Sequence, residues 1–321
     1  MKDAWGRTIE YVRLSLTDAC NFCCPYCRPA EITPQSQTQL LSVDEWMTIL
    51  GAFHHIGVKA VRLTGGEPLL YPHIEELLGR IKESGWFEDI SMTTNGSLLA
   101  SRAQRLKKFG LNRVNISLDS LETEAFATCV GKAGQLESVL DGIRSAINAN
   151  FKSVKINTVL SRYWSDDEVK SLLQYVEKWP VVWRFIEYMP FQGDAFHGPT
   201  FDEWKEQLER VSGGSLTEVH SVYGFGPATY LALPSVKAVG FIFSMSHSYC
   251  DTCNRVRLTS DGQMRLCLLR DDEADLVSLV RNGASEEALA KHIERALQRK
   301  QERHDGIGME QPERPMWRIG G

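Results

Sequence analysis

The chain has 321 residues, of which 43% are hydrophobic, 24% charged and 9% aromatic. This globular composition excludes the disordered, collagen-like and disulfide-stapled classes, because a chain of this length buries a large core without covalent help. The formal net charge of −5 argues against a nucleic-acid polymer or an anionic membrane as a partner, so any anion site has to be built locally.

The start of the chain, Met1–Arg7, has neither an apolar signal core nor the Arg-rich pattern of a transit peptide. The sequence also has no apolar run of about 18 residues, the length that a membrane helix needs. We therefore expect a cytoplasmic protein without a membrane segment. Thiols stay reduced in that compartment, so the eight cysteines are predicted to serve metal binding or catalysis rather than disulfides.

Short β-branched runs alternate with longer amphipathic stretches from Tyr11 to about Val211. The predicted strands are 12–17, 60–64, 90–94, 114–118, 154–159 and 183–188. The predicted helices are 42–54, 74–84, 98–109, 136–150 and 166–178. Such strand–helix units form parallel strands with right-handed crossovers. Since a closed barrel needs eight units, six predict an α/β fold of the partial (β/α)6 TIM-like barrel type, with its site at the carboxyl ends of the strands, rather than a flat doubly wound sheet.

The strand–helix rhythm breaks after Met189–Asp194. The remaining chain has short strand patterns, a second group of cysteines and a charged helical stretch over Ser285–Lys300. We therefore predict a barrel domain over residues 1–212 and a smaller C-terminal domain over residues 213–321 that covers the barrel mouth.

The first cysteine cluster follows the first predicted strand. Cys20, Cys24 and Cys27 have the spacing C-x3-C-x2-C. Three thiolates leave one iron of a 4Fe–4S cluster open to a non-protein ligand, whereas four close a zinc or iron–sulfur site. A zinc site with Cys23 as its fourth ligand is the alternative.

The next loop, Thr64–Pro68, reads Thr-Gly-Gly-Glu-Pro, and its glycines allow close approach of the backbone to a ligand. Alone it is an ordinary tight turn. Together the two loops resemble those of the radical S-adenosylmethionine (SAM) superfamily. The resemblance implies a 4Fe–4S cluster on the three cysteines and one-electron cleavage of SAM to a 5′-deoxyadenosyl radical, which takes a hydrogen atom from the substrate. The positions that match SAM contacts in that superfamily are Tyr26, Gly65, Gly66, Glu67, Thr94, Asn95, Ser117 and Asp119.

For Asn95, Ser117 or Asp119 taken singly, loop capping is an equally good explanation.

A second group of cysteines, Cys250, Cys253 and Cys267, has the spacing C-x2-C-x13-C. A structural zinc ion needs a fourth ligand, for which His247 is the nearby candidate. The other interpretation is a second 4Fe–4S cluster whose open iron accepts a nitrogen or oxygen atom of the substrate.

With both groups, the chain resembles one family over nearly its whole length: the GTP 3′,8-cyclases of molybdenum cofactor biosynthesis. The resemblance lies in Gly6-Arg7 and in residues 11–18, 115–119, 253–258 and 319–321. It implies a lyase that uses two 4Fe–4S clusters and SAM to convert GTP to (8S)-3′,8-cyclo-7,8-dihydroguanosine 5′-triphosphate. In that reaction the radical abstracts the C3′ hydrogen, the C3′ radical attacks C8, and the guanine edge rests on the second cluster.

Arginine suits phosphate because its planar group donates two parallel hydrogen bonds and stays charged. The positions that match the family's nucleotide contacts are Arg13, Arg62, Lys155, Arg184, Arg255, Arg257, Gly320 and Gly321. Any one of these basic residues could instead be an ordinary solvated or ion-paired surface residue.

The chain departs from the family pattern at Ala60, Tyr71 and Lys132. Because two of these departures remove positive charge, a related enzyme that acts on another nucleotide or on a peptide is the first alternative. A zinc-stabilised binding or scaffold protein without redox chemistry is the second.

The resemblance further implies an electron donor such as flavodoxin or ferredoxin and a downstream pyranopterin-forming enzyme as partners, and it leaves a homodimer open. Cys23 and Cys129 have no metal to bind in this scheme, and we expect both to behave as small buried hydrophobic residues.

Overall fold

The computed structural model describes residues 1–28, 40–190, 198–219, 224–304 and 314–320. Its strands are β1 Tyr11–Ser15, β2 Ala60–Thr64, β3 Asp89–Thr94, β4 Arg113–Ser117, β5 Ser153–Val159, β6 Val182–Ile186, β7 Thr217–Glu218, β8 Thr229–Leu233, β9 Val236–Ile242, β10 Arg255–Leu258, β11 Gln263–Arg265 and β12 Glu273–Asp275. Its α-helices are α1 Val43–His55, α2 Ile74–Ser84, α3 Ala103–Lys108, α4 Thr123–Val130, α5 Leu136–Asn148, α6 Asp166–Lys178, α7 Phe201–Ser212, α8 Val277–Arg281, α9 Glu286–Leu297 and α10 Met316–Ile319.

One 12-stranded sheet runs through the described residues in the order β12-β11-β10-β1-β2-β3-β4-β5-β6-β9-β8-β7. Its eight central strands, from β10 through β1–β6 to β9, are parallel. The outer pairs are antiparallel. The predicted α/β partial barrel is therefore confirmed, and its six predicted strands are β1–β6.

Alternate residues of the parallel strands point to opposite faces of the sheet. Val12, Leu14 and Ile116 belong to the hydrophobic core that the strands share with α1 and its neighbouring helices. Residues between them, such as Arg13 and Asn115, point to the inner face of the curved sheet. The inside of this barrel is consequently polar, whereas its outer layer is apolar.

Local signals explain why the helices begin where they do. Ser42 and Glu45 form a reciprocal capping box at the start of α1, and Ser165 and Glu168 form one at α6. The helix predicted over residues 98–109 is shorter, Ala103–Lys108. Residues before it form turns with hydrogen bonds to the third preceding residue, as from Arg102 N to Leu99 O at 2.9 Å.

The C-terminal chain extends both edges of the predicted barrel. β9 pairs with β6 and β10 pairs with β1, so this region flanks the barrel as well as reaching its mouth. The domain boundary after residue 212 stays a prediction.

Candidate active site

The first cysteine loop follows β1 and lies at the carboxyl end of the parallel strands. Cys20, Cys24 and Cys27 are half-buried. Burial raises the pKa of all three thiols, that of Cys27 to about 12, and Cys20 raises the pKa of both others. Thiols that resist ionisation yet lie together become thiolate ligands when an iron–sulfur cluster offsets their charge. The three cysteines therefore fit the predicted cluster.

Cys23 occupies a different position in this loop. Its backbone amide donates to Val130 O at 3.0 Å at the end of α4, and a Cβ on Gly131 would come within 2.5 Å of Cys23 O. Cys129, on α4, is buried as predicted, whereas Cys23 is half-buried. Cys23 thus packs against α4.

The glycine loop packs directly on the cysteine loop. Gly66 N donates to Thr17 O at 2.6 Å, and Glu67 N donates to Ala19 O at 2.7 Å. A Cβ on Gly65, whose φ is +152°, would lie 2.5 Å from Thr17 O, and one on Gly66 would lie 2.3 Å from Ala19 O. Only glycine allows the two loops to touch here, because any side chain at either position would collide with backbone.

Glu67 fastens this loop to the end of β3. Its buried carboxylate accepts hydrogen bonds from Thr94 Oγ1 at 2.7 Å, Asn95 N at 2.7 Å and Leu69 N at 3.0 Å. Burial raises the pKa of Glu67 to about 6, although these donors act in the opposite direction. The carboxylate therefore braces the loops of the mouth.

Asn95 and Asn21 connect β3 to the cysteine loop. Asn95 Nδ2 donates to Asn21 Oδ1 at 2.8 Å and lies 3.9 Å from Cys20 Sγ. This amide hydrogen lowers the pKa of Cys20, against the larger opposing effect of burial. Asn95 is thus placed to stabilise charge on that sulfur.

Asp119, after β4, is buried and joins the same mouth. It accepts hydrogen bonds from Tyr26 OH and from Val159 N, each at 2.8 Å. Burial raises the pKa of Asp119 to about 6 and that of Tyr26 well above its usual value. Ser117, half-buried at the end of β4, lies nearby in the chain. The structure therefore gathers the predicted SAM residues at one end of the barrel, while their contacts with SAM stay a prediction.

Basic side chains line the inner face of the barrel at one level. The strand register places Arg13 beside Arg62 on one side and Arg257 on the other. Burial, together with repulsion from neighbouring arginines, lowers the pKa of all three groups, that of Arg257 to about 10. In the described residues no salt bridge involves Arg62, Arg184, Arg255 or Arg257. Such uncompensated charge in a cavity favours a polyanionic ligand.

Lys155 and Arg184 extend this basic surface onto β5 and β6. Arg184 Nη2 donates to Asn157 Oδ1 at 2.6 Å. Lys155 is 2% exposed, and burial, followed by repulsion from Arg184, lowers its pKa to about 5. Its Nζ lies 6.0 Å from the centre of the Tyr230 ring. A Cβ on Gly240, opposite Tyr230, would come within 2.6 Å of Arg184 Cγ.

Sequence reasoning missed Tyr230, because β8 lies outside the predicted barrel and only the pairing with Gly240 brings the ring inside.

The C-terminal tail enters the mouth of the barrel. Gly320 O accepts a hydrogen bond from Arg257 Nη1 at 2.5 Å. Gly320 has a φ of +83°, and a Cβ there would lie 2.7 Å from Thr64 Oγ1 and 3.0 Å from Ser15 Cβ. Gly320 therefore reaches the basic surface, its predicted contact with the substrate stays a prediction, and Gly321 lies outside the described residues.

The second cysteine set lies near the opposite end of the barrel from the first. Cys250 and Cys253 belong to the connection from β9 to β10, and Cys267 follows β11. Because Arg255 pairs in parallel with Tyr11, Cys253 lies near the starting end of β1, whereas the first cysteine loop follows its finishing end. The three cysteines line one cavity together with Arg255, Arg257, Lys300 and His304.

The surroundings of Cys250 and Cys253 favour the thiolate form of both side chains. Hydrogen bonding with His304 and Ser248 outweighs burial and lowers the pKa of Cys250 to about 6. Lys300 and Arg255 likewise outweigh burial and lower the pKa of Cys253. A lowered pKa makes a thiol easier to ionise, and the thiolate is the form that binds iron. Sequence reasoning missed Lys300 and His304, which both lie in the chain just beyond α9.

The zinc alternatives require ligands that converge on one ion. Nowhere in the described part of the chain do three or more His, Cys, Asp or Glu side chains do so. His247, the expected fourth ligand, is exposed and packs on Phe201 with ring centres 4.8 Å apart. Among the described residues, neither zinc alternative is therefore supported by a converging group of ligands.

Comparison with known proteins decides the family. The model of the radical SAM superfamily matches residues 14–176, and that of Molybdenum Cofactor Synthesis C matches residues 181–306. GTP 3′,8-cyclases of Pelotomaculum thermopropionicum and Desulforamulus reducens are each 38% identical over 326 residues, with 100% of each protein and of this chain covered. The chain belongs to the GTP 3′,8-cyclase family of radical SAM enzymes. Membership implies a 4Fe–4S cluster and SAM binding.

The family also includes longer proteins. Molybdenum cofactor biosynthesis protein 1 of Mus musculus is 37% identical over 329 residues, which cover 100% of this chain and 51% of the mouse protein. Among solved structures, Streptococcus suis SuiB bound to S-adenosylmethionine has a TM-score of 0.63 at 15% identity and covers 88% of this chain and 68% of SuiB. At that identity the likeness supports the fold alone.

The structure also locates the three departures from the family pattern. Tyr71 is buried and donates to Leu41 O at 2.8 Å, before α1. Lys132 is exposed in the turn after α4. Ala60, by contrast, is buried on the inner face, two residues before Arg62 and in register with Asp89. Only Ala60 therefore changes the barrel interior. No helix in the described ranges has the length and apolar character needed to span a membrane.

Proposed function

We propose that this chain is a lyase that converts GTP to (8S)-3′,8-cyclo-7,8-dihydroguanosine 5′-triphosphate in molybdenum cofactor biosynthesis. The observation that carries the proposal is a set of buried, uncompensated cations between two sets of three thiols. A triphosphate supplies the negative charge that this interior lacks, and the two thiol sets leave an open position at each end.

Cys20, Cys24 and Cys27 would hold the first 4Fe–4S cluster. When bound and reduced, that cluster and SAM supply a carbon radical that removes a hydrogen atom from the substrate. The chain's part is to hold the mouth in shape: the glycines fix the loop contact, Glu67 ties the loop to β3, and Asn95 approaches the sulfur of Cys20.

Cys250, Cys253 and Cys267 would hold a second 4Fe–4S cluster that receives the guanine edge. Arg255 and Arg257, two residues apart on β10, face the same cavity as these cysteines. Guanidinium groups fix a phosphate chain in direction as well as in charge, since each donates in a planar fork. The cations would therefore hold the ribose between the two ends of the barrel, with SAM near one face.

The proposed chemistry also defines the partners. Because it starts with one electron, it needs a donor such as flavodoxin or ferredoxin, and its cyclic nucleotide needs a downstream pyranopterin-forming enzyme. Six free thiols that must stay reduced favour the cytoplasm. Measurement of the mass in solution tests whether the chain forms a homodimer.

Anaerobic turnover tests the function. Reconstituted, dithionite-reduced protein is incubated with SAM and GTP, and products are separated by chromatography and identified by mass spectrometry. We expect 5′-deoxyadenosine and the cyclic nucleotide in equal amounts. SAM cleavage without any cyclic product from GTP would instead favour a related enzyme whose substrate carries less charge, as the loss of a cation at Ala60 would allow. Colourless protein that contains zinc and no iron would refute radical chemistry altogether.

A further inference from the structure

The first residues of the chain are firmly attached to the body of the protein through Arg7. Arg7 Nε donates to Asp3 Oδ2 at 2.6 Å, and Arg7 N donates to Asp3 Oδ1 at 3.0 Å. The Arg7 side chain is 7% exposed and that of Asp3 is 0% exposed. A buried ion pair of this kind is costly unless its remaining donors are also satisfied.

The remaining donors of Arg7 go to backbone carbonyls far away in the sequence. Its Nη1 donates to Cys250 O at 2.9 Å and to Glu302 O at 2.6 Å, and its Nη2 donates to Gln301 O at 2.7 Å. One side chain thus joins a cysteine of the second set to residues just beyond α9. A guanidinium suits this task because its donors point in fixed directions within one plane.

The joined segment, residues 300–304, is here named the strap. Trp5 Nε1 donates to Lys300 O at 2.9 Å, which attaches the strap to the N-terminal residues a second time. The Lys300 ammonium donates to Leu266 O, next to Cys267. His304 Nε2 lies 3.0 Å from Ser244 O. The strap therefore contacts the chain on both sides of the second cysteine set.

Two strap residues also line the cavity of that set. Lys300, 3% exposed, and His304 both border it, and Lys300 is the strongest favourable charge acting on Cys253. Their backbone positions depend on the two carbonyls between them, and both of those carbonyls accept hydrogen bonds from Arg7. Loss of Arg7 would remove both of these hydrogen bonds from the strap and leave the buried Asp3 carboxylate without its ion pair.

We propose that Arg7, anchored by Asp3, is a positioning residue that holds Cys250 and the strap in the arrangement needed to bind a cluster at the second cysteine set. The inference rests on the second cluster of the proposed function. It makes the N-terminal segment part of that site, although this segment lies before the first barrel strand and its hydrogen bond to the set goes to the backbone of Cys250.

The test separates the two sets of cysteines. One background replaces Cys20, Cys24 and Cys27 with Ala, and the other replaces Cys250, Cys253 and Cys267 with Ala. Each background is made with Arg7 intact and with Arg7→Gln or Arg7→Lys, reconstituted anaerobically, and measured for iron, sulfide and electron paramagnetic resonance after reduction. With Arg7 intact we expect about four irons per chain in each background.

Arg7→Gln should lower iron several-fold in the background that keeps only the second set, and it should leave iron unchanged in the background that keeps only the first. Arg7→Lys should resemble Arg7→Gln, because one ammonium cannot reach three carbonyls. Asp3→Asn, which keeps the guanidinium, should give a smaller loss. Arg299→Gln is the matched control: Arg299 Nη2 also donates to a carbonyl, Glu273 O at 3.2 Å, but is exposed.

Equal iron loss in both backgrounds would indicate a general folding defect, and loss in neither would indicate that Arg7 has no effect; either result overturns the inference. If the second set binds no iron even with Arg7 intact, the second cluster of the proposed function is refuted. The positioning role is then decided in metal-free protein by mass spectrometry of alkylation rates. Arg7→Gln should speed alkylation of Cys250 relative to Cys27, and an unchanged ratio would overturn the role.

Discussion

The two cysteine sets present the same donors in opposite electrostatic surroundings. Near the first set lie the carboxyl groups of Glu67 and Asp119, which raise the pKa of Cys20 and Cys24 in addition to the larger effect of burial. Around the second set lie Lys300, Arg255 and His304, and the pKa values of Cys250 and Cys253 are lowered. The reduction potential of a cluster falls as its surroundings become more negative. If both sets hold clusters, as proposed, these carboxyl groups would lower the reduction potential of the first cluster relative to the second.

The largest expected effect comes from the first set. Replacement of Cys20, Cys24 or Cys27 by Ala should abolish reductive cleavage of SAM, because each supplies one of three protein thiolates. The measurement is 5′-deoxyadenosine formation under dithionite. Cys23→Ala is the control within the same loop and should retain activity. Loss of the cluster in Cys23→Ala with retention in Cys24→Ala would contradict the ligand assignment.

Replacement of Cys250, Cys253 or Cys267 by Ala should separate the two sets. We expect total iron to fall by about half and cyclic nucleotide to disappear, while uncoupled cleavage of SAM continues. Iron analysis and product chromatography on the same samples measure both effects. Unchanged iron accompanied by loss of zinc would show that this set is a structural zinc site.

The cations between the two sets should contribute to binding rather than to radical formation. Arg257→Ala should weaken GTP binding by about 1.5–3 kcal/mol, the range for hydrogen bonds to charged groups, which is roughly 10- to 150-fold in Kd. Equilibrium binding to the metal-loaded protein gives the value. Arg80→Ala, which removes an exposed surface pair with Asp44, should leave GTP binding unchanged. Equal effects of the two variants would argue against a phosphate site.

The addition of a methyl group to Gly320 tests whether activity requires the C-terminal tail in its present position at the mouth. Gly320→Ala places a Cβ against Thr64 Oγ1 at a φ of +83°, so the tail should move away from Arg257. We expect slower cyclisation, with the midpoint of thermal unfolding nearly unchanged because a terminal residue adds little core. Gly283→Ala, with a φ of +78° and no neighbour within 4 Å, is the control for backbone strain alone.

The smallest expected effect is the uptake of a proton when GTP binds. Lys155 has a pKa lowered to about 5, mainly by burial, and a bound phosphate chain should raise it. GTP binding at pH 7 should thus take up as much as about one proton, and its affinity should fall as pH rises above about 5. Calorimetry in buffers of different ionisation enthalpy measures the uptake. Lys155→Met should remove it; the same uptake in that variant would assign the proton elsewhere.

Lys155 should make folding depend on pH in the opposite direction to GTP binding. Because the folded pKa of Lys155 lies below its value of about 10.5 in the unfolded chain, the unfolded state binds more protons between these limits. Its contribution to the free energy of unfolding should therefore rise with pH across that window and be lost as pH falls toward 5. Lys155→Met should flatten this dependence.

Local patterns predicted the core of the fold and the most distinctive part of the site. β-Branched runs located β1–β6, and cysteine spacing located both thiol sets, since each depends on residues close together in the chain. β9 and β10 were beyond that reasoning: β10 has four residues, and nothing local indicates that it pairs with β1. Tyr230 and His304 were missed for the same reason, because only tertiary packing brings them to the cavity.

Position 60 shows how structure refines a sequence comparison. The three departures from the family pattern look equivalent along the chain, yet Tyr71 stabilises the outer layer and Lys132 faces solvent. Ala60 alone lies inside the barrel, where Asp89 is already paired with Arg113 through a 2.6 Å contact of Nε with Oδ1. A substitution that removes a charge changes the barrel interior only if the side chain at that position points inward.

In the described sheet, β9 and β10 are the outermost parallel strands and share no hydrogen bonds. Had they paired, they would lie about 4.8 Å apart and close an eight-stranded cylinder, whose diameter leaves room only for its own side chains. Because β9 and β10 do not pair, the barrel is wider than a closed one. The polar side chains inside it therefore do not have to fill the interior and can face a bound ligand. The gap between β9 and β10 is thus what gives this barrel room for a ligand cavity.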